Sequence, residues 1–104
     1  MPQLGQIRAA RRDDTCLFRL IGEFDLSNAP KIRNAIVEVI QKEGRDIVVD
    51  LTAVRFMDAQ LVRALIRART KAVKHDVAFV VVPPANQVVG RIAELVDLDD
   101  ELAA

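Results

Sequence analysis

The sequence predicts an α/β fold: a mostly parallel four-stranded sheet with an opening hairpin and about three to four helices. Three observations carry that expectation. Two compact runs rich in β-branched residues, 46–51 and 77–82, have the continuous apolar centre of covered strands. The segments around them repeat their apolar residues every three to four positions, which is the period of a helix. Gly44, His75-Asp76 and Pro83-Pro84 punctuate the boundaries. Strand and helix alternate, which calls for right-handed crossovers and parallel pairing.

Taken in order, Gln6 to Ala10 reads as a short edge strand. Arg11-Arg12-Asp13-Asp14 follows as a polar turn, with Asp supplying the turn chemistry. Thr15 to Ile21 has the β-branched and aromatic content of the strand that completes the hairpin. Gly22-Glu23-Phe24-Asp25-Leu26 reads as a break. Ser27 or Asn28 is placed to cap the first helix, and Pro30 is tolerated in its first turn. Apolar residues at 32, 35, 36, 39 and 40 form its buried stripe, and Gly44 ends it. Each large aliphatic on that stripe contributes ~1.5–3 kcal/mol when buried, so the stripe must face a sheet.

Asp46 to Leu51 is the central strand, and Val54 to Leu61 is the junction where strand gives way to helix. Such junctions often carry function, because helix N–H groups are unpaired there and the dipole is positive. The second helix runs from Asp58 to about Lys74, with Val62, Leu65, Ile66 and Val73 assigned to the core. That assignment leaves Leu61, Ala64 and Ala68 on a neighbouring apolar strip. Val77 to Val82 is a last buried strand, stopped by two prolines that cannot continue a ladder. Asn86 caps a third helix whose apolar side is Val88, Val89, Ile92, Leu95 and Val96, and an acidic tail follows. The whole chain, 1–104, reads as one domain with its core at about 6–100.

Composition removes several function classes. Hydrophobic residues at 51% and charged residues at 29% exclude disorder as the default. The net charge is zero, so no overall field draws the protein to nucleic acid or membrane. Without Trp or Tyr, and with four Phe, there is little surface for stacking nucleobases. No apolar run reaches the length of a spanning helix, and no signal-peptide stretch begins the chain. A soluble, cytoplasmic protein is the expectation. Cys16 stands alone and beside a strand, so it reads as a small buried hydrophobe.

Catalytic chemistry is hard to assemble. His75 is the single histidine, at a helix end, and has no cysteine or second histidine to complete a nucleophilic pair or zinc site. The four glycines are isolated, so no phosphate-cradling loop exists. Asp25, Asp50 and Asp58 could meet at strand ends around a hard cation, but capping and solvation explain them more simply. No enzyme, cofactor or metal is expected. Charge is nonetheless uneven: six basic residues and one acid lie between Arg55 and Lys74, then six acids and one base between Asp76 and Glu101. Arg63, Arg67, Lys71 and Lys74 form one helical stripe, either a solvated face or a docking surface for an acidic partner helix.

Three short motifs resemble the STAS family, whose best-known members are bacterial anti-sigma factor antagonists. Leu20-Ile21-Gly22-Glu23-Phe24-Asp25 is similar to the family's Gly-Glu-Leu-Asp. Ile47 to Asp58 follows its pattern of a strand ending in Asp-Leu-Ser/Thr, then two apolar positions and Asp. Val80-Val81-Val82-Pro83-Pro84 matches the stretch before its last helix. The resemblance covers residues 6–100 and implies a STAS-like fold with a non-catalytic role. Members of this type bind a kinase-like anti-sigma factor, and phosphorylation of a serine in Asp-Ser-Ser-Gly switches them off. A phosphate would add about −1.5 to −2 charges to the docking face.

Asp58 matches that motif's Asp, while Ala59, Gln60 and Leu61 replace Ser, Ser and Gly. Gln60 sits where the phosphorylated serine belongs, and it neither accepts nor mimics a phosphate. The resemblance thus implies partner binding through Asp25, Asp58, Ala59, Gln60, Leu61 and Arg63, with Thr52 and Ser27 the alternative phosphorylation hydroxyls. Leu61 either protrudes into the partner or packs at the domain margin. Two further roles within the family remain open: an accessory subunit against the ATPase of a lipid-transport ABC system, and a self-associating, stressosome-like scaffold. None of the three calls for nucleic acid or for insertion into a membrane.

Overall fold

The computed structural model describes residues 5–84. The strand β1 (Gly5–Arg12) pairs antiparallel with β2 (Thr15–Phe24) across the two-residue turn Asp13-Asp14. Asp13 takes the left-handed conformation at φ 54° that a tight hairpin turn requires, and Asp is among the few residues that tolerate it. Helix α1 (Ala29–Glu43) leads to β3 (Asp46–Met57), and α2 (Ala59–Lys74) leads to β4 (Phe79–Val82). Strand order is β1-β2-β3-β4, with β2–β3 and β3–β4 parallel. The sheet is therefore mixed, and two helices stand among the described residues. The third helix and the acidic tail expected from the sequence lie outside those residues.

The helices pack on each other and on one face of the sheet. Cys16, Phe18, Leu20 and Phe24 of β2 and Ile47, Val49, Leu51, Val54 and Met57 of β3 face them. From α1 come Ile32, Ile36, Val39 and Ile40, the stripe the 3.6-residue period predicts, with Ala35 half-buried at its margin. Gly44 ends α1 at φ 62° and donates its N–H to the carbonyls of Val39 and Ile40. Cys16 is fully buried in this layer, and loss of hydration pushes its thiol up from the ordinary value.

Besides β1, which spans Gly5–Arg12 rather than Gln6 to Ala10 and so leaves Asp13-Asp14 alone as the turn, four features differ from the sequence expectation. β2 does not break at Gly22 but continues to Phe24, with Gly22 at φ 102° inside the strand. β3 does not stop at Leu51 but runs six residues further, to Met57. The reason is the same in both cases. Pairing shifts between Arg19 and Ile21 and again between Gly22 and Glu23, each time with one extra residue in β3. Buried positions therefore go from Leu51 to Val54 to Met57, a three-residue spacing that conceals a strand from any two-residue template.

The third difference lies in β4, which is shorter than 77–82 and is half-buried, with Val80 exposed on the face away from the helices. The last concerns α2. Val73 is 59% exposed and Ile66 half-buried, whereas Leu61, Ala64 and Ala68 are buried. This helix has neighbours on two sides, the sheet and α1, so its buried arc is rotated and broadened towards α1. Alanines at 64 and 68 suit that second contact, since small side chains let the helices approach.

An ion network ties the hairpin to the end of α1. Glu43 accepts from Arg11 through Nε and Nη2, both at 2.7 Å, and from Arg45 Nε at 2.8 Å. Bonds from Arg11, then from Arg45, hold the Glu43 carboxyl at about 2, below its ordinary 4.5. The unfolded chain binds this proton more readily than the folded one, so stability falls as the group is protonated. The contribution is complete above about pH 4.5 and disappears as pH falls through about 2. Urea titrations should show the gap between wild type and Glu43→Gln shrinking across that window. A gap that stays constant would show the network to be unlinked to folding.

Candidate partner-docking site

The second β3 bulge sets the position of everything that follows. It delivers Asp58 to the end of the sheet, where the Asp58 N–H donates to the Phe24 carbonyl at 3.2 Å. Asp58 is extended (φ −106°, ψ −178°), and its Oδ1 accepts from the backbone N–H groups of Gln60 at 2.9 Å and Leu61 at 3.4 Å. That is a helix cap, which satisfies donors that would otherwise face solvent unpaired. The carboxylate expected at this junction is therefore engaged in starting α2.

Beside it lies the loop from β2 to α1. Asp25 Oδ1 accepts from both the N–H (2.8 Å) and the hydroxyl (2.5 Å) of Ser27. These bonds, the hydroxyl's first, hold the Asp25 carboxyl below the usual carboxylate range. Its carbonyl accepts the N–H of Ala29 at 2.9 Å, so Asp25 organises the start of α1. Asn28 occupies the N-cap position but its side chain does not cap. Instead its Oδ1 accepts the Asp25 N–H and its amide donates to the Glu23 carbonyl, fastening the loop to the end of β2.

Between the two helix starts is a notch of about 120 Å³. Leu26, Ala29, Pro30 and Arg33 form one wall; Gln60, Arg63, Ala64 and Arg67 form the other. Leu26 stands at this notch 67% exposed, the most exposed of the large hydrophobics among the described residues. Gln60 is half-buried and Arg63 exposed, with Ala59 half-buried beside Asp58. Asp25, Asp58, Ala59, Gln60 and Arg63 thus lie at the β2–α1 loop and the start of α2, and of these Gln60 and Arg63 line the notch.

Leu61 does not join them at the surface. It is 0% exposed, packed in the core with Val62 and Leu65, because the turn after the Asp58 cap points position 61 inward. The exposed apolar strip of Leu61, Ala64 and Ala68 is therefore replaced by a buried one. Thr52 and Ser27 are both exposed, and each hydroxyl donates to a carboxylate: Thr52 to Asp50 at 2.6 Å, Ser27 to Asp25 at 2.5 Å. Asp50 is buried on the far face of the sheet from the helices, and Arg19 Nε completes its partners at 3.1 Å. Bonds from Thr52, then from Arg19, lower its carboxyl. The three acids thus have separate partners, and no group of three metal-ligating side chains occurs among the described residues. Also among these residues, no helix is long and apolar enough to cross a membrane.

Sequence reasoning passed over Leu26 and Arg33. A leucine within the polar stretch Asp25-Leu26-Ser27-Asn28 was the available signal for the first. Arg33 has no local signal, because its role depends on α2 lying alongside. Phe56, 45% exposed on the opposite face, became visible only once β3 was known to extend past Leu51.

A sheet with two crossover helices on one face, and a capped helix start beside a loop at its end, defines an α/β domain of the STAS kind. The family model described as STAS domain matches residues 6–103, and the chain belongs to that family. Among curated proteins none matches significantly. Solved structures share the fold. An anti-sigma factor antagonist from Mycobacterium paratuberculosis superposes with a TM-score of 0.80 at 24% identity, covering 96% of this chain and 84% of that one. The STAS domain of an antisigma-factor antagonist from Rhodobacter sphaeroides gives 0.62 at 19% identity, covering 76% and 86%.

Two substitutions separate scaffold from surface. Leu61→Ala should destabilise the protein by about 2–5 kcal/mol through lost burial and a cavity, read by chemical denaturation. Asp58→Ala should cost about 0.5–2 kcal/mol through the lost cap. A loss below ~0.5 kcal/mol for Leu61→Ala would place that side chain outside the core.

Proposed function

We propose that the protein is a non-catalytic interaction module of the anti-sigma factor antagonist kind, acting in the bacterial cytoplasm on an anti-sigma or kinase-like partner. The observation that carries this reading is the surface around Gln60. A rigid helix start, fixed by Asp58, stands beside the β2–α1 loop, and the side chain at the family's phosphorylation position is an amide. Gln60 has no hydroxyl to receive a phosphate and no charge to imitate one. The docking face therefore keeps one charge state, and partner binding is not interrupted at this residue.

The alternative hydroxyls are poorly placed to take over. A phosphate on Ser27 or Thr52 would replace the proton that each now donates to Asp25 or Asp50, and would set like charges together. Control of this module, on the present reading, comes from partner abundance or from elsewhere on the chain. The fold likeness to anti-sigma factor antagonists supports the general kind of role.

The test is titration calorimetry against the host's kinase-like sigma regulators. Wild type should bind one of them, and Gln60→Asp should weaken binding by at least about tenfold, equivalent to ~1.4 kcal/mol. A kinase partner with ATP should label Gln60→Ser and leave wild type unlabelled. Labelling of wild type would sink the unswitched reading. Binding to a lipid-transporter ATPase, or self-assembly with no regulator bound, would move the assignment to the corresponding role.

A further inference from the structure

The notch between α1 and α2 has a chemistry that goes beyond the proposed docking role and, resting on that reading, specifies the partner. Arg33, Arg63 and Arg67 line it, and among the described residues no carboxylate does. Arg33 is oriented by the neighbouring Asn34, whose Oδ1 accepts from Nε at 3.3 Å and from Nη2 at 3.1 Å. Arg63 and Arg67 make no ion pair among the described residues, whose salt bridges involve Arg11, Arg19, Lys42 and Arg45. The nearby acids Asp58 and Asp25 each direct Oδ1 at their own local donors, and neither forms a salt bridge with these arginines. Among the described residues, three arginines thus line one concave surface whose lining holds no carboxylate, while the protein as a whole is neutral.

We infer that this notch receives an acidic helix of a partner protein, with Leu26 as its apolar contact. Charge complementarity names the ligand chemistry, because arginine forks match carboxylates in a two-bond geometry. Helical spacing names the pattern. Arg63 and Arg67 are one turn apart on α2, about 5–6 Å between Cβ atoms, so they match carboxylates one turn apart on an opposing helix. Leu26, 67% exposed at the notch, meets an aliphatic residue of that helix and is removed from water on docking. Among the described residues no aromatic side chain lines the notch, so none there offers the stacking surface that a nucleobase would use.

The probe is a synthetic Ala-rich helical peptide of roughly 20 residues, carrying paired Glu one turn apart and a Leu one turn further on. Heteronuclear NMR titration of the full chain should shift the amides of Leu26, Arg33, Gln60 and Ala64, and the Gln-substituted peptide should not. Affinity should fall as salt is raised from about 0.05 to 0.5 M. Arg63→Glu with Arg67→Glu should weaken binding at least about tenfold, while Lys74→Glu, farther along the same stripe, should not; thermal melting of each variant reports whether it folds. Equal binding by the double variant, or shifts centred on Lys71 and Lys74, would overturn the proposal. So would binding that emerges only when Asp97, Asp99, Asp100 and Glu101 are neutralised, since the chain's own acidic run would then be the occupant. Failure of every sigma regulator to bind leaves the peptide result standing. A regulator that binds around Gln60 with undiminished affinity for the double variant sinks this inference alone.

Discussion

β3 is twelve residues long and lies against ten residues of β2, and the two extra residues position most of what matters here. Each bulge turns the strand by one side-chain position. Val54 and Met57 are thereby brought onto the helix face, where both are buried. The chain also leaves the sheet level with the end of β2, so that the Asp58 N–H meets the Phe24 carbonyl. Helix α2 then starts in one place and at one angle, with its arc of Leu61, Val62, Leu65 and Ala68 directed into the core. Bulges are frequent where a strand must re-aim a side chain near a functional surface, and β3 follows that pattern.

The electrostatics at this end of the molecule divide by sign. Carboxylates do internal work: Asp58 starts α2, Asp25 starts α1, and Asp50 anchors Thr52 and Arg19 on the other face. Arg33, Arg63 and Arg67 line the notch, and among the described residues none of the three is in a salt bridge. In Asp58 and Asp25 it is Oδ1 that takes these local bonds. The described lining of the notch is basic, with three arginines and no carboxylate. A neutral amide at position 60 leaves that surface unopposed, whereas a phosphate there would sit beside Arg63 and alter it.

The fold was largely legible in the sequence. The stripe of α1, the stop at Gly44, the start of β3 at Asp46 and the start of α2 after Asp58 all rest on local rules, and each appears where those rules place it. Strand ends were less legible because a bulge breaks the two-residue period on which strand reading depends. Leu61 is the most instructive residue. Its periodicity is compatible with either of two faces, and the choice between them belongs to α1, which packs against α2 from a distant part of the sequence.

What the sequence by itself determined was the class of protein: an α/β chain of the STAS family with an altered motif, Ala59-Gln60-Leu61, after a retained Asp58. Those features reside in residue identity and short-range spacing, so no contact is needed to read them. Tertiary structure decided which parts of the junction are surface. It buried Leu61, extended β3 to Met57, and set Arg33 opposite Arg63 and Arg67 across the notch. Arg33 and Arg63 are thirty positions apart, and only the packing of two helices on one sheet face brings them together. The junction that local rules marked as special is thus a capped helix start, and the arginines beside it are ones that the fold assembles around it.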